Sequence, residues 1–338
     1  MRKLTVLPIL LLFLAQADRL FADWPCYRAD AARSATTAQP LSFPLERHWV
    51  YRPAQSPQPA WPDPVFEQNQ MDFDRAFVPV VARELILFGS SADDCVRALD
   101  ADTGALRWRF VTGGPVRFAP AIFGDSAYVA SDDGWLYCLD AETGAEKWKF
   151  CGAADNRRIL GAGRVIARRP MRSGVLVDDG IVYTTAGMWP SEGVFVYALD
   201  ARTGEEVWVN DTSGSNYINQ PHSPGAAMTG VSPQGYLAVT EEVLLVPTGR
   251  GAPAAYDRRS GRLMHYRHAY HRLWCGAWIA ADPAKGVVIS GQGRRSVQID
   301  VETGRRDGDN FKSPDFSHVA PPREIRTGDI TVRGEDGA

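Results

Sequence analysis

The fold is decided by residues 136–148, which read Leu-Tyr-Cys-Leu-Asp-Ala-Glu-Thr-Gly-Ala-Glu-Lys-Trp and whose central motif recurs along the chain. The motif is Asp-x-x-Thr/Ser-Gly, and a short apolar or alternating run precedes each copy. The five copies start and end at Asp100 and Gly104, Asp140 and Gly144, Asp200 and Gly204, Asp257 and Gly261, and Asp300 and Gly304. A period of about 40 to 60 residues indicates a repeat architecture.

The motif predicts a tight turn between two strands. An Asp side chain can accept a hydrogen bond from the backbone two residues on, and Gly adopts a positive φ without a steric penalty. Residues 119–150 show two further strand-like runs before the motif and one after it. Four antiparallel strands in roughly 40 residues correspond to one propeller blade. The sequence therefore predicts an all-β fold of repeated four-stranded blades.

These repeats resemble the pyrroloquinoline-quinone-type (PQQ-like) β-propeller repeat over about residues 76–304. A Trp follows the Gly by four residues in the first three copies, at Trp108, Trp148 and Trp208. The resemblance implies that these three residues dock neighbouring blades, with plain burial in a sheet core as the simpler interpretation. His265 and Gly308 stand at the equivalent positions of the last two repeats and depart from the pattern.

The number of repeats raises the question of how the ring is completed. PQQ-like propellers commonly have eight blades, whereas about five are recognisable here. The chain is therefore a fragment of a longer ancestral protein, a smaller ring with degenerate blades, or an incomplete eight-bladed ring that another chain completes. We favour the first alternative. A partial ring would leave sheet edges open to association.

Four regions follow from composition along the chain. Residues 1–22 have a basic start, a short apolar run and small residues, which predict an export signal peptide. Residues 23–75 include a possible blade-closing strand at 45–51 and a Pro-rich stretch at 52–64 that is expected to be an extended surface segment. The opening from Asp23 to Arg28 also resembles the mature start of large secreted bacterial members of the group. Residues 76–304 hold the repeats, and residues 305–338 form a polar tail that is expected to be irregular.

Composition excludes several function classes. The net charge is −3, so nothing favours nucleic-acid binding. No segment after the leader is long and apolar enough to predict a transmembrane anchor, so the mature chain is expected in the periplasm or outside the cell. The five Cys include no Cys-x-x-Cys pair and no adjacent pair. By resemblance, quinoprotein dehydrogenases place a disulfide between adjacent Cys over their cofactor.

Topology predicts which face carries function. The repeated motif joins strands three and four of a blade, so the loops between strands two and three lie on the opposite face, here called the loop face. The candidate cofactor-binding residues on this face are Asp93, Asp94, Arg117, Asp132 and Asp133. Carboxylates are ligands for Ca²⁺, although turn-forming Asp is the simpler interpretation. A basic loop at 157–169 could pair with a carboxylate or phosphate, or be a solvated insertion. His265, His268 and His271 are not expected to bind a metal, because Arg267 and Arg272 flank them.

Two functions remain. The first is a non-catalytic scaffold that binds a protein, peptide or envelope component on the loop face, with no cofactor. The second is a PQQ- and Ca²⁺-dependent quinoprotein dehydrogenase that oxidises alcohols or sugars, with the cofactor at the ring centre. We favour the first, because five repeats supply few ligands to a shared axis, and fold does not imply function.

Overall fold

The computed structural model describes residues 23–38, 40, 43–61, 73–153, 155–161, 163–215, 217–219, 226–249, 251–266, 276–292, 295–305, 326–327 and 330–331. These residues form β-strands and a single 3-10 turn of helix at Pro190–Glu192. The described chain is therefore all-β, which confirms the predicted fold class. No described helix has the length and hydropathy that crossing a membrane requires.

Four four-stranded antiparallel sheets and one three-stranded sheet follow one another along the chain, here named blades 1 to 5. Blade 1 contains β1 (Val80–Ala82), β2 (Leu85–Ser90), β3 (Cys95–Asp100) and β4 (Leu106–Val111). Blade 2 contains β5 (Ala121–Phe123), β6 (Ser126–Ala130), β7 (Trp135–Asp140) and β8 (Glu146–Cys151). A separate hairpin follows, formed by β9 (Arg158–Gly161) and β10 (Arg164–Ala167).

The remaining strands are in chain order as follows. A short strand β11 (Ser173–Gly174) precedes blade 3, which contains β12 (Leu176–Asp178), β13 (Ile181–Ala186), β14 (Phe195–Asp200) and β15 (Glu206–Asn210). A hairpin of β16 (Tyr217–Asn219) and β17 (Ala226–Met228) and a short strand β18 (Gly235–Tyr236) precede blade 4. Blade 4 contains β19 (Ala238–Val239), β20 (Val243–Val246), β21 (Ala254–Asp257) and β22 (Leu263–His265). Blade 5 contains β23 (Trp278–Asp282), β24 (Val287–Gln292) and β25 (Arg295–Asp300), and β26 (Arg326–Thr327) pairs with β27 (Ile330–Thr331).

The repeated motif forms the same turn in all five blades. In blade 1, the backbone N–H and the hydroxyl of Thr103 donate to Asp100 Oδ1 over 2.8 and 2.7 Å. The N–H of Gly104 donates to the carbonyl of Asp100, and Gly104 has a φ of +70°. The Asp side chain thus accepts from the third residue of the turn, and at Asp200 and Asp257 it also accepts the expected bond from the N–H two residues on, over 3.0 and 3.2 Å. The bond from the third residue of the turn recurs in the other four blades.

The first strands of the blades lie side by side around an axis. β1 contacts β5, β5 contacts β12, and β19 contacts β23. Four hydrophobic clusters fill the spaces within and between blades. The parallel pair β11 and β18 joins the entries to blades 3 and 4 near this axis. The starting ends of the first strands therefore bring residues from several blades together.

Aromatic side chains connect each blade to the following one. The indole of Trp108 lies over Gly144 of blade 2, where a Cβ would approach it to 2.7 Å, and its N–H donates to the carbonyl of Ala141 over 3.0 Å. The same contacts place Trp148 over Gly204 and Trp208 over Gly261. Trp108 and Trp208 are buried, whereas Trp148 is only partly buried.

Two residues outside the Trp pattern make the same contact. His265 lies over Gly304 of blade 5, with its Nε2 2.7 Å from the carbonyl oxygen of Val301. His265, which stands where the repeat pattern has Trp, therefore keeps the contact with a smaller ring. Gly308, at the equivalent position of the next repeat, lies outside the described residues. Trp49 lies over Gly104 of blade 1 and donates to the carbonyl of Ala101 over 2.9 Å. Residues 45–51 form no strand, so this segment covers blade 1 through the Trp49 side chain and not through a ladder.

Candidate functional site

A buried cluster of four charged side chains lies where the first strands of blades 1 to 3 begin. Asp132, in the turn between β6 and β7, accepts from Arg117 Nε over 2.6 Å and from Arg172 Nε and Nη2 over 2.6 and 2.9 Å. Arg117 also donates to Asp74 over 2.7 Å. Each of the four side chains is at most 2 % exposed. We call Asp74, Arg117, Asp132 and Arg172 the charge cluster.

The charges in this cluster compensate one another. Two guanidinium groups face two carboxylates, and bidentate pairing of Arg172 with Asp132 is the strong form of such a contact. Burial opposes the charge on Arg117, but the carboxylates of Asp132 and Asp74 raise its pKa above the usual value. A buried carboxylate that is held by two arginines has few lone pairs left for an added cation.

Residues 58–61 cover the charge cluster. The carbonyl of Gln58 accepts from Arg117 over 2.7 Å, and the N–H of Ala60 donates to Asp74 over 2.8 Å. Trp61 donates to the side chain of Gln234 over 2.8 Å. Ala60 is 6 % exposed, so the expectation of a surface segment at 52–64 is wrong at this point. The backbone of the segment is needed to satisfy buried polar groups, which draws it inward.

The other predicted carboxylates are held elsewhere by their own partners. Asp93 forms an ion pair with Arg97 on the next strand, and Asp94 receives both Nη2 bonds of Arg164 at 2.6 Å. Asp133 is buried and accepts from the N–H of Gly113, the hydroxyl of Tyr137 and the N–H of Trp135, over 2.7, 2.6 and 3.0 Å. The structure therefore brings Arg117 and Asp132 together, while Asp93, Asp94 and Asp133 are held by partners outside the charge cluster. Among the described residues, no three His, Cys, Asp or Glu side chains are grouped for a metal ion.

Two members of the charge cluster, Asp74 and Arg172, were missed from the sequence. A signal for Arg172 exists in the spacing, because Arg117 precedes β5 by four residues and Arg172 precedes β12 by four residues. Gln234 holds the same position before β19. Equivalent positions in successive repeats converge on the axis. A comparison of these positions therefore predicts that Arg117 and Arg172 lie close together. Asp74 follows no such spacing.

Tyr236 of β18 packs among the segments that enter blades 2, 3 and 4. Its hydroxyl accepts from the N–H of Ala119, just before β5, over 3.0 Å, and its ring packs edge-on against Phe118. A Cβ on Gly174 would approach the Tyr236 ring to 2.2 Å, so only Gly fits beside it. Burial raises the pKa of the Tyr236 hydroxyl. Tyr236 and the charge cluster therefore lie near the entries to the blades, where Asp132 is already held by two arginines.

The hairpin β9–β10 is the most exposed apolar feature of the loop face. Leu160 and Val165 are direct partners across the hairpin and are 79 % and 60 % exposed. On the other side of the hairpin Ile166 is buried, and the N–H of Ala167 donates to the carbonyl of Asp132 over 2.7 Å. The hairpin is therefore fixed at its base and presents two aliphatic side chains to solvent.

The basic loop around this hairpin is mostly paired. Arg164 binds Asp94, Arg168 binds Glu192, and Arg169 binds Asp155. Arg157 remains 70 % exposed, at 3.4 Å from Asp155, and Arg158 is exposed while its Nη1 donates to the carbonyl of Gly113. Of the three His considered for a metal, His268 and His271 lie outside the described residues.

Comparison with known proteins identifies the family to which the chain belongs. The family model PQQ_2, described as outer membrane protein assembly factor BamB, matches residues 92–320. No curated protein sequence matches the chain significantly. BamB from Moraxella catarrhalis is similar at 21 % identity and a TM-score of 0.46, over 68 % of this chain and 62 % of that one.

Two dehydrogenases of known structure share the fold. Quinohemoprotein alcohol dehydrogenase ADHIIG from Pseudomonas putida HK5 is 20 % identical, with a TM-score of 0.52 over 70 % of this chain and 42 % of that one. A europium-containing methanol dehydrogenase is 14 % identical, with a TM-score of 0.53 over 84 % of this chain and 57 % of that one. The chain spans 42 to 62 % of the length of these three proteins. At these identities the likeness shows the propeller fold alone.

Proposed function

The chain belongs to the PQQ-like family whose model is described as outer membrane protein assembly factor BamB, and on that premise we propose that it is an exported, non-catalytic module that binds a protein or peptide on its loop face. The leader predicted at residues 1–22 supports export. The description of the family as an assembly factor supports a protein partner in the cell envelope.

The observation that carries this proposal is the exposed pair Leu160 and Val165. Large aliphatic side chains that face solvent side by side on a fixed hairpin are typical of an interaction surface. Arg157 and Arg158 stand beside this pair with exposed guanidinium groups. The partner is therefore expected to offer an apolar contact flanked by acidic groups.

The pairing of Asp132 with two arginines supports the choice of a scaffold over a dehydrogenase. A quinone needs an open axial site, and Ca²⁺ takes six to eight oxygen ligands. Tyr236 packs among the segments that enter blades 2, 3 and 4, and both carboxylate oxygens of Asp132 accept from arginines. Binding energy on the loop face then comes from the hairpin and the turns around it.

A photo-crosslinking experiment tests the proposal. A photoreactive amino acid replaces Leu160 in one variant and Leu106 in a matched control, because Leu106 is a Leu on β4 that is 58 % exposed. Illumination in the envelope fraction of the native host should give a discrete crosslinked product from position 160 and none from position 106. The double variant Leu160→Asp with Val165→Asp should lose a complex that Leu106→Asp with Val111→Asp retains.

Cofactor binding and alcohol oxidation test the alternative function, a quinoprotein dehydrogenase. Purified protein is titrated with PQQ and Ca²⁺, followed by absorbance, and is then assayed for dye-linked alcohol oxidation. We expect neither stoichiometric binding nor turnover. Tight binding with turnover that Asp132→Asn abolishes in a folded protein would refute the proposal, as would equal crosslinking from positions 160 and 106.

A further inference from the structure

The first strands of the blades have one edge turned toward the axis, and that edge needs hydrogen-bond partners. Residues 24–35, which we call the axial segment, supply them. Trp24 and Val81 of β1 exchange two backbone bonds of 2.7 and 2.9 Å. The carbonyls of Pro25, Ala31 and Ala32 accept from the first strands of blades 2, 4 and 5, at Ile122, Val239 and Ala281, over 2.8, 3.0 and 2.8 Å.

Arg33 extends these contacts to blade 3. Its side chain is fully buried, and its donors face carbonyl oxygens. Nε donates to Leu237 over 2.7 Å, Nη2 to Val175 over 3.3 Å, and Nη1 to Tyr27 over 2.9 Å. Burial lowers the pKa of Arg33. A guanidinium presents five N–H donors in a fixed fork, so it can join carbonyls of two blades and of the segment at once.

The side chains of the axial segment also pack against several blades. Tyr27 stacks on Tyr236 with ring centroids 3.6 Å apart and an angle of 10°. Arg28 lies over the ring of Trp278 in blade 5 at 5.4 Å. Each of the four hydrophobic clusters receives a residue of the segment, namely Tyr27, Ala31, Cys26 and Ala32. The segment therefore contacts every blade and every cluster.

The backbone of the segment has an unusual local geometry. Arg28, Ala29, Arg33 and Ala35 have φ values of +58°, +76°, +64° and +57°, in the region that L side chains rarely adopt. Such conformations persist only where surrounding contacts impose them. Here the contacts with the ring act together with bonds inside the segment, such as the one from the N–H of Ala35 to the carbonyl of Arg28 over 3.0 Å.

We propose that the ring contains an axial peptide-binding site and that the axial segment is its internal ligand. The site recognises a turn-containing peptide through the edges of the first strands and a buried arginine through the carbonyls of Leu237 and Val175. It lies toward the face of the repeated turns, since Val81, Ile122, Val239 and Ala281 stand near the ends of the first strands. It is separate from the Leu160 surface on the loop face, so the two proposals can fail independently.

A cut between ligand and ring tests the proposal in the full chain. A specific protease site is inserted between the exposed residues Thr36 and Thr37, and the folded protein is cleaved. The N-terminal fragment should stay with the ring through gel filtration, and a labelled synthetic peptide of residues 23–36 should exchange into the complex. Immediate separation of the fragment under native conditions would overturn the proposal.

Two variants measure the contribution of the buried arginine. Arg33→Ala should speed release of the cut fragment about tenfold or more, because hydrogen bonds from a charged group are lost. Arg47→Ala is the matched control, since Arg47 is exposed in the same N-terminal region. Equal release rates for the two variants would contradict the proposal.

If Arg33→Ala does not fold, hydrogen exchange tests the axial site instead. In intact protein the amides of Val81, Ile122, Val239 and Ala281 should exchange slowly, and they should lose protection together, about tenfold or more, when the cut fragment is removed. The Gly104 amide is the internal control, because it donates within its own turn to Asp100. Rapid exchange of the four amides in the intact protein, or no change on fragment removal, would refute the axial site.

Discussion

The substitution Asp132→Ala tests whether the charge cluster acts as a buried ionic unit or as an ordinary exposed ion pair. In the folded protein the Asp132 carboxylate accepts three bonds of 2.6, 2.6 and 2.9 Å from Arg117 and Arg172. Its removal leaves two buried guanidinium groups facing the single carboxylate of Asp74. The ring would then hold an uncompensated positive charge in a place that is closed to water by residues 58–61.

The size of the effect follows from this geometry. Removing one partner of a buried ion pair costs about 3–5 kcal/mol in the free energy of unfolding. For a domain of this size, each kcal/mol lowers the melting temperature by about 2–4 °C, so the expected decrease is about 6–20 °C. Asp93→Ala is the matched control, because Asp93 pairs with Arg97 but is 39 % exposed. Its loss should cost about 0–1 kcal/mol.

Thermal unfolding followed by near-ultraviolet circular dichroism measures both variants. A third protein with Asp74→Asn, Asp132→Leu, Arg117→Met and Arg172→Met removes all four charges of the cluster together and should recover most of the loss, since apolar replacement of a buried ionic group is often neutral or stabilising. Equal melting temperatures for Asp132→Ala and Asp93→Ala would show that the cluster is not a buried charge unit and would refute this reasoning.

Three further outcomes are expected. Gly144→Ala should lower the free energy of unfolding in urea by about 1–3 kcal/mol more than Gly124→Ala, because both have positive φ but only a Cβ at 144 meets Trp108, at 2.7 Å; equal losses would exclude a role for the Trp contact. Burial raises the pKa of the Cys95 thiol to about 12, so iodoacetamide near pH 8 should label Cys95 only after denaturation. Mass spectrometry that finds labelled Cys95 in native protein would contradict this expectation. Hydrogen bonds from the Thr143 hydroxyl and N–H lower the pKa of Asp140, so its contribution to stability is present above the ordinary carboxyl pKa and is lost as pH falls through the lowered value. Asp140→Asn should therefore flatten the fall of the urea midpoint below about pH 4, and an unchanged slope would disprove the link.

Local chemistry explains why the fold could be predicted from the sequence. The turn at Asp140 to Gly144 depends on residues within five positions of one another, so its geometry is set by the motif itself. The PQQ-like resemblance rested on these local features, and the family match over residues 92–320 confirms it.

The candidate site depends on contacts between distant residues, which the sequence does not display. Arg117 and Asp132 were both named, but their grouping with Asp74 and Arg172 arises only when three blades meet at the axis. Asp93 and Asp94 have the same residue type and turn context as Asp132, yet they face arginines outside the axis. Residue type and loop position could therefore not distinguish a buried charge from a surface one.

The N-terminal region gives a physical answer to the question of the missing blades. Trp49 donates to the carbonyl of Ala101 over 2.9 Å and lies over Gly104, as Trp108 does with Ala141 and Gly144 one blade later. The side of blade 1 that a preceding blade would cover is thus already covered by the chain itself. A further blade on that side would have to displace Trp49. A chain with five repeats can in this way satisfy its first sheet without an eighth blade, because one indole supplies the contact that the repeat pattern requires.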